Sequence, residues 1–327
     1  MPGTQITLKS NADGLLLQGY RWLPETQPKA ILLLAHGMAE HAGRYARFAA
    51  ALNAAGYAVY AFDHRGHGLT AEGGHGLTAE GGHGLTAGNA ELGHAAPRDG
   101  WNRMVADLIQ AAGFARAEHP GKPLLLFGHS MGSFMAQRFI ELQGGLLQGC
   151  VLCASNGKPP AIAVLGKLIA RLERLRCGAR GTSKVIDAMG FGAFNKKFAP
   201  NRTEYDWLSR DTAEVDKYIA DPFCGFSLDT QFWIDFLDGL DDMSQPAEQA
   251  RIPKALPLLV IGGKHDPVSA GTRGLLQLLQ AYATAGLNRV EHIFYDDARH
   301  ELLNENNRDQ VTADIIGFLD RCLIPQP

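Results

Sequence analysis

Long apolar runs are missing from this 327-residue chain. A bilayer-spanning helix needs roughly 18 or more consecutive apolar residues, and no stretch approaches that, so no transmembrane segment is expected. The opening residues, MPGTQITLKSNADG, contain no apolar block of the kind a secretory signal requires. Cysteine is scarce as well. Five are scattered along the chain, an odd number. That excludes a disulfide framework and suggests reduced thiols, hence a cytoplasmic location. Cys150 and Cys153 do form a C-x-x-C pattern, but they lie in the apolar run GCVLCAS. A redox pair needs a helix N-terminus there, so buried strand cysteines are expected instead. Excess positive charge is absent too. The net charge is −3, which argues against nucleic-acid phosphate as a partner. Hydrophobic residues nevertheless make up 46% of the chain and charged residues 20%, enough for a large packed core.

What is present organises itself around PLLLFGHSMGSFMAQRF, residues 123–139. Leu124 to Phe127 reads as a buried strand. Gly128-His129-Ser130-Met131-Gly132 follows, and then Phe134, Met135, Arg138 and Phe139 at helical spacing. Strand, G-x-S-x-G and helix together make a nucleophile elbow. The sharp turn forces its central serine into a sparsely allowed backbone conformation, which lifts the hydroxyl clear of the sheet. The flanking glycines allow backbone to pass closely. The helix points its positive end at the turn, where an oxyanion would form.

Other segments alternate strand with helix. Strands are expected at 5–9, 15–22, 30–35, 58–62, 149–155, 258–261 and 290–295, and helices near 48–55, 101–119, 275–282 and 311–322. This alternation is the pattern of a parallel sheet with helices on both faces. It stops between residues 156 and 250. No strand is legible there, while helical stretches and the aromatic cluster Phe223, Phe226, Phe232, Trp233 and Phe236 are. The division that follows is a catalytic core over 1–155 and 251–327, with a helical cap inserted at 156–250.

One stretch departs from this order. Gly66 to Gly73 reads GHGLTAEG, Gly74 to Gly81 repeats it, and Gly82 to Asn89 begins a third copy as GHGLTAGN. An eight-residue period is too short for a solenoid unit. With so few apolar residues, 66–89 is expected to be a solvent-exposed loop from a tandem duplication. His67, His75 and His83 recur within it, but that spacing matches no metal-ligand pattern.

Ser130, Asp266 and His300 come in the order nucleophile, acid, base, each just past a strand. A serine hydroxyl is a poor nucleophile until a base takes its proton. His300 would do so, and Asp266 would orient the imidazole. Asp296 and Asp297 are rival acids. His36, His41, His64 and His129 are rival bases, read here as supports for the surrounding loops. Two backbone donors are needed for an oxyanion. The Met131 N–H and the Met38 N–H, in the loop after the third strand, are the candidates.

The motifs HGMAEHAGRY (36–45), DHRGHG (63–68), GHSMGS (128–133), GGKHDPV (262–268) and RHELLNE (299–305) resemble those of the monoacylglycerol lipase and lysophospholipase group of α/β-hydrolases, also grouped with serine aminopeptidase-like hydrolases. The resemblance implies a mostly parallel eight-stranded sheet flanked by helices, a helical cap, and no cofactor or metal. It implies hydrolysis of esters carrying one acyl chain. Transient membrane-surface contact through the cap is a separate expectation. It carries the nucleophile to Ser130, the acid to Asp266, the base to His300 and the oxyanion donors to Met38 and Met131. The group normally runs from DHRGHG into one short loop, so two copies of the repeat are surplus. A peptidase or amidase of the same fold is the alternative enzyme, and a non-catalytic binding protein the alternative outside enzymology.

Overall fold

A computed structural model describes residues 3–71, 92–159 and 162–324. Eight strands form one sheet: β1 Thr4–Lys9, β2 Leu16–Trp22, β3 Ala30–Ala35, β4 Tyr57–Phe62, β5 Leu124–His129, β6 Gly149–Cys153, β7 Leu258–Gly263 and β8 Val290–Tyr295. Their order is β1-β2-β4-β3-β5-β6-β7-β8. β2 runs antiparallel to both β1 and β4, and the other pairings are parallel. The expected mostly parallel, eight-stranded sheet is therefore present, with strand ends shifted by no more than two residues.

The central strands are continuous apolar runs because both of their faces are covered. Successive side chains point to opposite faces. Ile31, Leu33, Leu124 and Leu126 pack with Met104, Leu108, Phe139, Leu275 and Leu278 on one side. Those partners come from helices Gly100–Glu118, Met131–Gln143 and Arg273–Thr284. Leu32, Leu34, Leu125 and Phe127 pack with Phe48, Leu52, Val311, Ile315 and Phe318 on the other, from helices Ala46–Ala54 and Arg308–Cys322. The same alternation separates Cys150 from Cys153: they join opposite faces, both buried and free. A redox pair is thereby ruled out.

Between β6 and β7 the chain leaves the sheet for helices Ile162–Cys177, Lys184–Met189, Thr212–Ala220 and Thr230–Met243, with shorter helical turns between them. This insertion sits on the core at several points. Phe236 meets Trp101 and Phe134 with ring centroids 5.7 and 6.1 Å apart. The Glu301 N–H donates to the Leu208 carbonyl at 2.7 Å, and the Gly225 N–H to the Ala39 carbonyl at 3.0 Å.

The first repeat copy corrects an expectation. Residues 72–91, which hold the rest of the repeat with His75 and His83, lie outside the described residues. The described part is no exposed loop: Gly68–Ala71 is a short helix, and residues 66–71 are buried except for half-buried Leu69. Polar bonds hold it where apolar area does not. The Thr70 hydroxyl donates to the Asp63 carbonyl at 2.8 Å and accepts the Gln18 N–H at 2.9 Å. The Asp63 carboxylate accepts the Leu69 N–H at 2.8 Å. His67 Nδ1 donates to the Arg65 carbonyl at 2.9 Å.

Candidate active site

Ser130 lies at the turn between β5 and helix Met131–Gln143, with φ 51° and ψ −119°. A positive φ on a serine costs about 1–3 kcal/mol and persists only where the surroundings impose it. Here they do. The Ser130 N–H donates to the Cys153 carbonyl at 2.9 Å, and the Ser130 carbonyl accepts from the Ser133 and Phe134 N–H groups at 2.8 and 3.2 Å. At Gly132 a Cβ would collide with the Ala35 and His36 carbonyls. The glycine thus lets the helix start directly against the end of β3.

His300 and Asp266 approach from the loops after β8 and β7. A Cβ at Gly263 would strike the Ala298 and Arg299 carbonyls, so the two loops can touch only because that position is glycine. His300 Nε2 lies 2.9 Å from Ser130 Oγ. His300 Nδ1 lies 3.0 Å from each Asp266 carboxylate oxygen. Asp266 is fully buried, and its Oδ1 also accepts the Val268 N–H at 2.9 Å. With Nδ1 donating to the carboxylate, Nε2 keeps the lone pair that can take the serine proton. Burial works against a charged His300, but the charge and hydrogen bonds of Asp266 outweigh it, and the imidazole pKa is raised above 6.5.

The rival groups lie elsewhere. Asp296 pairs with Lys264, and Asp297 is 77% exposed near Arg210. His36 Nδ1 donates to the Gly37 carbonyl at 2.8 Å, and its Nε2 accepts the His64 N–H at 2.9 Å. His64 Nε2 donates to the His36 carbonyl at 3.2 Å. His41 pairs with Asp221 at 2.9 Å. The His129 ring stands 5.0 Å from that of His300, with burial lowering its pKa to about 3.

The loop after β3 lies against Ser130: a Cβ on Gly37 would come 3.3 Å from Ser130 Cβ. That places the Gly37–Met38 peptide beside the Ser130 turn. Met131 is the first residue of the following helix, where N–H groups have no acceptor within the helix itself. Glu40 anchors this loop. Its Oε1 accepts the Gly37 N–H at 2.6 Å and the Tyr45 hydroxyl at 2.7 Å, and its Oε2 accepts from Arg44 at 2.5 Å. Arg44 also grips Glu301, the neighbour of His300, at 2.7 and 2.8 Å. The ring of Trp207, from the insertion, stands 5.0 Å from that of His300. Glu40, Arg44 and Glu301 are visible in the motifs, but no spacing rule assigns them a role. Trp207 gives no signal in sequence at all.

A mostly parallel eight-stranded sheet with helices on both faces, carrying a serine, a carboxylate and a histidine at its strand ends, defines an α/β-hydrolase. Residues 26–307 match the serine aminopeptidase S33 family; the chain belongs to that family and is a hydrolase. It is 28% identical over 306 residues to the monoacylglycerol lipase of Mycolicibacterium smegmatis, covering 91% of this chain and 90% of that protein. It is 27% identical over 276 residues to the monoglyceride lipase of Homo sapiens, covering 83% and 77%. Among solved structures it is similar to a highly thermostable carboxyl esterase from Bacillus coagulans, with a TM-score of 0.85 and 24% identity over 99% of this chain and 100% of that one. It is also similar to a soluble variant of the monoglyceride lipase from Saccharomyces cerevisiae, with a TM-score of 0.74 and 17% identity over 99% and 97%.

Proposed function

We propose that this protein is a serine carboxylester hydrolase of the monoglyceride lipase type, cleaving monoacylglycerol-like or lysophospholipid-like esters through an acyl-enzyme. The observation that carries the reading is the unbroken chain of hydrogen bonds from Ser130 Oγ through His300 to buried Asp266. Ser130 Oγ attacks the ester carbonyl while His300 Nε2 takes its proton. Asp266 holds the imidazolium that forms. The N–H groups of Met38 and Met131 receive the negative oxygen, and Glu40 fixes the first through its bond to Gly37. His300 then protonates the leaving alcohol. A water, deprotonated by the same imidazole, releases the acid and restores Ser130. No cofactor is needed.

The 156–250 segment acts as the cap. On helix Ile162–Cys177, Val164, Leu165, Leu168, Leu172 and Leu175 are exposed, and Lys167, Arg171, Arg174 and Arg176 share the helix. An apolar stripe with basic neighbours suits transient contact with an anionic lipid surface. No helix among the described residues is long and apolar enough to cross a membrane. Free, largely buried cysteines fit a cytoplasmic setting.

The experiment is labelling with a fluorophosphonate probe, followed by rates on monoacylglycerol, lysophospholipid and p-nitrophenyl esters from acetate to palmitate. Wild type should be labelled and Ser130→Ala should not. Labelling without hydrolysis of any ester, but with cleavage of aminoacyl amides, would replace the esterase reading with the peptidase one.

A further inference from the structure

Away from Ser130, one cluster of side chains has a chemistry that hydrolysis does not use. A ring nitrogen of His41, a carboxylate oxygen of Asp221 and the Sγ of Cys224 all lie within 4.8 Å of one another. It is the one potential metal-ligating group of His, Cys, Asp or Glu among the described residues. We infer that these three side chains bind a thiophilic divalent cation of the zinc class and that the bound ion fastens the helical insertion to the loop carrying Met38.

The donor set selects the ion. One imidazole nitrogen, one carboxylate oxygen and one sulfur suit zinc or cobalt, whereas calcium and magnesium require oxygen ligands throughout. Three protein ligands leave a fourth tetrahedral position for water. Asp221 is held in place for this: its Oδ1 accepts the Phe223 N–H at 2.9 Å, and its Oδ2 faces His41 Nε2 at 2.9 Å. The His41 and Asp221 side chains are 16% and 28% exposed, which leaves an entry path from solvent. The nearby cation, Arg44, is matched by the Glu40 and Glu301 carboxylates, so its charge does not oppose a second cation. Binding releases the Cys224 thiol proton to solvent, and the proton between His41 and Asp221 leaves Nε2, passing to Nδ1 of a neutral ring or to solvent from an imidazolium. No redox change is involved.

The position gives the ion a consequence. His41 lies on the loop after β3, and Asp221 lies 180 residues later in the insertion, with Cys224 following it there. Next to the cluster, the Gly225 N–H and the Tyr218 hydroxyl both donate to the Ala39 carbonyl at 3.0 Å. Ala39 follows Met38 directly. A cation joining His41 to Asp221 and Cys224 would tie the two segments at this seam and restrain the loop during turnover. This consequence rests on the esterase reading; the binding itself does not.

The test strips the full-length protein with EDTA and titrates it with cobalt chloride, then zinc chloride. Wild type should bind one equivalent and show a thiolate-to-cobalt charge-transfer band. Cys224→Ser should lose the band, and both Cys224→Ser and His41→Gln should bind at least about 100-fold more weakly. Zinc should suppress p-nitrophenyl ester turnover in wild type, with EDTA restoring it, and should leave Cys224→Ser unaffected. Absence of the band, or binding unchanged in either variant, overturns the site. A band with no zinc effect on turnover, or suppression that persists in Cys224→Ser, overturns the fastening role.

Discussion

At the scale of single residues, the proposed proton relay makes quantitative demands. Ser130→Ala, Asp266→Asn and His300→Ala should each lower kcat by on the order of 10³-fold or more, and combined variants should lose little beyond the single ones, because the three act as a unit. Asp297→Asn should be silent, since its carboxylate is exposed beside Arg210 while Asp266 holds His300. The pH profile separates the roles further. In that proposal His300 must be neutral to take the Ser130 proton, and Asp266 raises its pKa above 6.5. Activity should therefore be present above that raised value and fall as pH drops through it. Asp266→Asn removes the charge responsible, so its residual activity should show the acid limb displaced to lower pH. A kcat/KM profile measured on both proteins checks this, and an unmoved limb would remove Asp266 from its role. The meeting of Ser130, His300 and Asp266 was legible in sequence because each is marked by a local strand-to-loop signal. Glu40 was not, because its partners Gly37, Tyr45 and Arg44 surround it only once the loop has folded.

At the scale of elements, two segments invite change. The exposed stripe on helix Ile162–Cys177 should matter only at a lipid surface. Leu168→Asp with Leu172→Asp should slow hydrolysis of vesicle-borne monoacylglycerol about tenfold and leave a soluble p-nitrophenyl ester unaffected. Equal loss on both substrates would assign the stripe to folding instead. The repeat is the other segment. Deleting residues 66–81 yields the same sequence as deleting 72–87, since the copies are identical there. The short form therefore keeps a complete GHGLTA behind Arg65, able to remake the bonds to Asp63 and Gln18. Shortening a connection changes its closure entropy by only about 0.6 kcal/mol per halving. The melting temperature should stay equal or rise slightly, and esterase rate should persist. Unfolding of the short form would show that the surplus copies are structural.

At the scale of the whole molecule, burial of ionisable groups predicts acid sensitivity. Burial pulls the pKa of His36 well down, and those of His64 and His129 to about 3 and His67 to about 4. The unfolded chain protonates them near 6.5. Below that pH the unfolded state binds more protons, so stability is lost as pH falls. Asp63 and Glu141 act in the opposite sense, since burial raises them to about 6 and about 8. The four histidines outnumber the two carboxyls, so within this set the unfolded state still binds more protons near pH 5. Melting temperature measured from pH 7 to pH 4.5 should fall steeply below about 6.5; a flat profile would mean these histidines are not held neutral.

Sequence alone determined the sheet, the strand-by-strand alternation of its two faces, the sharp turn at Ser130, and the placing of Ser130, Asp266 and His300 just past strand ends. Each of these follows from neighbours within a few positions: side-chain period in a strand, and steric demand at a turn. Tertiary structure decided the rest. Whether GHGLTA is buried depends on Gln18 and Asp63, not on its own apolar content. The packing of Trp207 near His300, the grip of Arg44 on Glu301, and the meeting of His41 with Asp221 and Cys224 join segments far apart in the chain. No local pattern encodes such pairs, because their distance is set only when the sheet has closed and the insertion has settled on its carboxyl edge.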